Sequence, residues 1–181
     1  AFQRVYDMLQ LAVPRSLQMQ QNSTVKGYEG ERCMDDLIAE RFPALHLSDC
    51  SGSAHGGDRK LAGDTFSILI EYKDYARPVA GREVEKFQRD LRESGCQVGV
   101  FCSLSTRIAN KHPLNLTFER VGGATAVYIP AAGHDGERLV CVLEWAQWAC
   151  KQRCAGGGSG GAAGERAIDA ATRALSDVDT L

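Results

Sequence analysis

The 181-residue sequence has no uninterrupted apolar run of about 18 residues, the length a helix needs to cross a membrane, so a membrane-spanning protein is not expected. Its opening, AFQRVYDMLQLAVPRSLQMQ, carries charges where a secretory signal needs an apolar core, and secretion is not expected either. It also lacks an excess of either charge. With 21 Lys and Arg against 23 Asp and Glu, the net charge is −2, so any nucleic-acid contact must come from a local basic patch. There is no CxxC pair among the seven cysteines, and an odd count spread over apolar segments argues against a disulfide framework. Reduced, mostly buried thiols in an intracellular protein, of cytoplasm or nucleus, are the expectation. Cys150 and Cys154 lie one helical turn apart and read as a helix face in preference to a metal pair.

A hydrophobic fraction of 44% and a charged fraction of 24% exclude the disordered and fibrous classes. The length suits one domain with a sizeable core and short extensions. Residues 1–25 read as an N-terminal helical arm, in which Phe2, Val5, Leu9 and Ala12 have helical spacing before Pro14. Residues 26–155 form the main domain, and 156–181 a glycine-rich linker with a short helical tail. Within the domain, GYEGERCMDDLIAERF places Met34, Leu37, Ile38 and Phe42 on one helix face. Short strands follow at ALHLSDC and near Asp58 to Leu61, then TFSILIEYK, a helix from Gly81 to Ser94, and QVGVFCS. The two continuous apolar runs predict central strands. LNLTFER and ATAVYIP add two strands, and GERLVCVLEWAQWACKQRC a closing helix. This order predicts an α/β fold, a mixed β-sheet flanked by helices.

The stretch GGDRKLAGDTFSILIEYKDY, residues 56 to 75, concentrates the chemistry. Side chains alternate along a strand, so Glu71 and Lys73 share a face. If residues 58–61 pair with the following strand, Asp58 joins them, and two carboxylates converge with one lysine. Adjacent carboxylates repel unless a proton or cation intervenes, and Mg²⁺ suits hard oxygen ligands. Asp64 reads as a turn residue after Gly63, and His55 as a loop residue. Tyr72 should face the opposite side and pack in the core, while Tyr75 lies toward the substrate side.

In these residues the sequence resembles the PD-(D/E)xK, or restriction-endonuclease-like, nuclease superfamily. Asp58, Glu71-x-Lys73 at the end of an apolar strand, and a preceding helix opening Gly27-Tyr28-Glu29-Gly30-Glu31 carry the likeness, over roughly residues 26 to 110. It is nearest to type IV restriction endonucleases and archaeal Holliday-junction resolvases. The proline of the family motif is replaced by Gly57. The resemblance implies an αβββαβ core, and Mg²⁺, with Mn²⁺ substituting, held by Asp58, Glu71 and the backbone carbonyl of Tyr72. It implies that Lys73 polarises water or phosphate, and that Glu31 assists through a water or a second ion. Glu29 is the rival acid on the same turn.

The implied activity is phosphodiester hydrolysis in DNA, with RNA not excluded. A dimeric, junction-resolving enzyme and a catalytically silent nucleic-acid-binding module are the alternatives. Arg82, Lys86 and Arg89 form a basic stripe on the helix after Lys73, with Arg77 just before it. Ser103, Ser105, Thr106 and Arg107 follow the next strand and are expected to hold phosphates; no feature points to base readout. The competing reading of the stripe is a solvated face paired with Glu83, Glu85 and Glu93.

Overall fold

The computed structural model describes residues 23–53, 56–133, 136–155, 169, 170 and 172. The expected arm over 1–25 and tail over 156–181 lie almost wholly outside the described residues, as do His55 and the side chain of Glu29. The chain runs α1 (Ser23–Arg41), β1 (His46–Asp49), β2 (Arg59–Ala62), β3 (Ser67–Lys73), α2 (Gly81–Glu93), β4 (Val98–Ser103), β5 (Thr117–Val121), β6 (Ala124–Ile129) and α3 (Glu137–Ala155). The six strands form one mixed sheet in the order β1-β2-β3-β4-β6-β5. The pairs β3·β4 and β4·β6 are parallel, and the other three are antiparallel. This is the α/β architecture expected from the element order.

Two cores explain why β3 and β4 read as continuous apolar runs. Ile68, Ile70 and Tyr72 of β3 and Val98, Val100 and Cys102 of β4 pack with Met34 and Ile38 of α1 and Leu139, Leu143 and Ala146 of α3. The intervening Leu69 and Phe101 point to the other side, against Val84, Phe87 and Leu91 of α2. A strand buried on both faces has no polar positions to alternate with its apolar ones. Phe87 sits edge-on to Phe101 and Tyr128, with ring centroids 5.2 and 5.9 Å away. Burial of each such side chain contributes roughly 1.5–3 kcal/mol. Gly99 allows this close approach, because a Cβ there would stand 2.7 Å from Leu91 Cδ2.

The thiols only partly meet expectation. Cys33, Cys50, Cys96, Cys102, Cys141 and Cys150 form no disulfide, but Cys33 and Cys141 are exposed on α1 and α3. Helix registers that bury Met34 and Leu139 turn their near neighbours outward. Cys102 is the opposite case, its thiol pushed up to about 12 by burial and thus inert. Among the described residues, no helix is long and apolar enough to cross a membrane.

Candidate active site

The site forms where β2 begins and β3 runs on past it. The antiparallel register pairs Arg59 with Ile70, so the residue before Arg59 comes opposite the residue after Ile70. That brings Asp58 beside Glu71, and the Asp58 N–H donates to the Ile70 carbonyl at 3.1 Å. Gly57 makes the entry turn with φ +64, and a Cβ there would lie 2.9 Å from Leu69 Cδ1. Proline, locked near φ −65°, cannot take this conformation, which accounts physically for the residue standing before Asp58.

Beyond Ile70, β3 has no β2 backbone left to pair with, and the Asp58 carboxylate fills the gap. Its Oδ2 accepts the Tyr72 N–H at 2.8 Å. Within a strand, a residue's N–H and C=O point to the same side, so the Tyr72 carbonyl also faces the edge where Asp58 lies. The Tyr72 ring is buried on the opposite face, as its strand position requires.

Lys73 joins the two acids. Its Nζ lies 2.7 Å from Glu71 Oε1 and 3.9 Å from Asp58 Oδ2. One ammonium thus faces a carboxylate oxygen of each acid. Glu71 is only 3% exposed on its side chain. Its Oε1 also takes Lys86 Nζ at 3.4 Å, while its Oε2 is buried without a hydrogen-bond partner. A buried carboxylate oxygen left this way is costly unless a further group completes it.

The electrostatics follow from crowding. Burial, and then Glu71 beside it, raises the Asp58 carboxyl above the usual aspartate range. Burial, and then Asp58, raises Glu31. For Lys73, burial works against the charge, but Glu71 and Asp58 outweigh it, so its pKa is raised and the ammonium persists. Glu31 does reach the site from α1, but Arg59 Nη2 stands 3.6 Å from its Oε2.

Arg59 and Asp90 are the participants that residue-level reading missed. Arg59 binds Asp35 of α1 at 2.7 Å, approaches Asp49 of β1 at 3.4 Å, and donates to the Asp58 carbonyl at 2.9 Å. It thereby ties α1, β1 and β2 together directly behind Asp58. Its only sequence signal is adjacency to that aspartate. Asp90 is an acid buried on the inward side of α2, between Phe87 and Leu91, and takes Lys86 Nζ at 3.1 Å. Its i,i+4 spacing to Lys86 was the available clue.

A groove of about 630 Å³ adjoins these groups through Glu31 and Lys73, with Tyr75, Arg77 and Arg82 also in its lining, while Asp58, Glu71 and Lys86 are not part of that lining. Arg77 and Arg82 are exposed there, Arg82 lying 3.5 Å from Glu83. Lys86, expected in the basic phosphate-binding stripe, has its ammonium drawn onto Glu71 and Asp90. Ser103 is a correction. It pairs in register with Lys73, but it is 0% exposed and its hydroxyl meets Thr106, so it cannot hold a phosphate. The loop that follows β4 covers it, and Leu104 N–H bonds the Lys73 carbonyl at 2.8 Å. Ser105 is exposed, with its hydroxyl on Asp74, and Arg107 is exposed outside the groove lining.

Among the described residues, no group of three or more His, Cys, Asp or Glu is arranged to hold a metal ion. Two carboxylates and an aligned carbonyl nevertheless suit Mg²⁺, which keeps several waters and is commonly held by one or two carboxylates plus substrate phosphate. The partnerless Glu71 Oε2 is the observation that favours this fit. In comparison with known proteins, the chain matches no family model, no curated protein and no solved structure.

Proposed function

We propose that this protein is a metal-dependent nuclease that hydrolyses phosphodiester bonds in DNA at Asp58, Glu71 and Lys73. The observation that carries the proposal is the convergence of two acids, Glu71 buried and Asp58 largely so, on one ammonium, that of Lys73, which lines a groove also lined by Arg77 and Arg82. A protein that only bound nucleic acid would have no use for so costly an arrangement.

Asp58, Glu71 and the Tyr72 carbonyl are the groups that would hold Mg²⁺ or Mn²⁺. With the ion there, the site gains a water of lowered pKa and positive charge beside the phosphate. Without the ion, Glu71 and Asp58 hold Lys73 protonated, and its part would be to orient the phosphate or attacking water and to offset developing negative charge. Arg77 and Arg82 contact the phosphate backbone along the groove, giving binding without sequence preference. Glu31, paired to Arg59, acts from the rim.

The test is incubation of linear, circular, single-stranded and branched DNA, and of RNA, with the protein and Mg²⁺ or Mn²⁺, beside Asp58→Ala and Lys73→Ala. Cleavage by the unaltered protein that both substitutions remove is the expected result. Cleavage surviving both would refute the site. A preference for branched substrate would point to junction resolution, and binding without cleavage to a silent module.

A further inference from the structure

Lys86 has an unusual position for a helix lysine in front of a sheet. It is half exposed, at 47%, yet its ammonium is divided between two nearly buried carboxylates, Glu71 Oε1 at 3.4 Å and Asp90 Oδ2 at 3.1 Å. Glu71 Oε1 already has Lys73 at 2.7 Å. One carboxylate oxygen thus faces two ammonium groups, while its other oxygen has no partner. Lys86 is also the one of the two whose second acid is not itself a proposed metal ligand: Lys73 has Asp58 at 3.9 Å, whereas Lys86 has Asp90, one helical turn along α2. Asp90 sits among Phe87 and Leu91 on the packed side of the helix, where an acid is costly without a cation to face.

We propose that Lys86 is a place-holding cation for Glu71, tethered by Asp90, and that it yields the carboxylate when a divalent ion binds. The inference rests on the metal-site reading above. In the metal-free protein Lys86 offsets the charge of a buried glutamate. When a divalent cation takes Glu71, repulsion drives the ammonium off that oxygen, and Asp90 retains it on α2. Lys86 is accordingly a positioning residue that sets how tightly the site takes its ion, and Asp90 sets how easily Lys86 lets go.

The experiment is titration of the full chain with Mn²⁺ alone, followed by calorimetry or electron paramagnetic resonance at fixed ionic strength, with no DNA present. Lys86→Met removes the competing charge and should tighten Mn²⁺ binding by about fivefold or more. Lys86→Arg keeps the charge and should bind as the unaltered protein does. Asp90→Asn removes the tether, leaves Lys86 to Glu71, and should weaken binding by about twofold or more. In Lys86→Met/Asp90→Asn the loss should disappear. A merely structural Lys86–Asp90 bridge would weaken binding in both single variants, and that outcome, or no change in Lys86→Met, overturns the proposal. Mn²⁺ binding that Glu71→Gln abolishes but Lys86→Met leaves unaltered sinks the place-holding role alone. Absence of Mn²⁺ binding in the unaltered protein and in Lys86→Met sinks the metal reading and this role with it.

Discussion

Two Lys–Glu networks lie on the α2 face of the sheet, and they are built in opposite ways. At one, Lys111 is 6% exposed on its side chain, binds Glu119, and lies 4.2 Å over the Tyr128 ring. Gln88 then donates to both Glu119 and the Tyr128 hydroxyl, at 3.2 and 3.0 Å. No atom of that network is left buried and unpaired. At the other, Glu71 shares one oxygen between two lysines and leaves its second oxygen unpartnered, with Asp58 adding further negative charge. The first network is closed and joins α2, β5, β6 and the loop before them. The second is open to a groove. Satisfied polar groups fix a structure, whereas an incompletely satisfied acid pair marks a candidate functional site.

Substitutions separate the two. The largest expected effect is at the open network, where Asp58→Asn or Glu71→Gln should lower Mn²⁺-supported DNA cleavage by about 100-fold or more, with a melting temperature little altered. Rate assays with matched thermal melts check this. At the closed network, Lys111→Met leaves Glu119 to Gln88 and water and loses the ring contact. It should cost about 2 kcal/mol in denaturant melts, discounted because Glu119 is partly exposed, and leave cleavage intact. Loss of cleavage there with stability spared would erase the contrast.

Gly57→Ala tests the turn that delivers Asp58. Its positive φ and the Leu69 contact predict about 1–2 kcal/mol of destabilisation together with weakened Mn²⁺ binding, measured by denaturant midpoints and titration. Destabilisation without any effect on Mn²⁺ would detach the turn from the site.

The smallest effect is in pH dependence. Asp58 and Glu31 have raised carboxyl pKa values in the folded protein. Their contribution is therefore fully present below the ordinary carboxylate pKa and declines as pH rises through the folded values. In EDTA, urea midpoints between about pH 4 and about pH 7 should show this decline, and Asp58→Asn should flatten it. Lys73 and Lys86, also raised, contribute below their ordinary value and lose that contribution only as pH climbs past the folded one.

Much of this was legible from spacing alone. The periodicity of Met34, Ile38 and Phe42 marked α1, and the apolar runs marked β3 and β4 as central strands. The glutamate and lysine at the end of β3 were marked by composition, because charge at the end of a doubly buried strand is conspicuous. Ser103 misled because a hydroxyl after a strand carries no sign of the loop that will cover it. Lys86 misled because helical spacing gives a side chain's direction but not which carboxylate waits across the gap.

The sequence by itself determined the order of elements, and the alternation that aims Glu71 and Lys73 to one face, because both depend on neighbours a few residues apart. The convergence of Asp58 with Glu71 was decided only in three dimensions, by the register of β2 against β3 and the left-handed turn at Gly57. The same holds for the Arg59 clamp behind Asp58 and the reach of Lys86 to Glu71. Each joins elements that pack by shape and burial, and the angle and depth of that packing depend on the whole core at once.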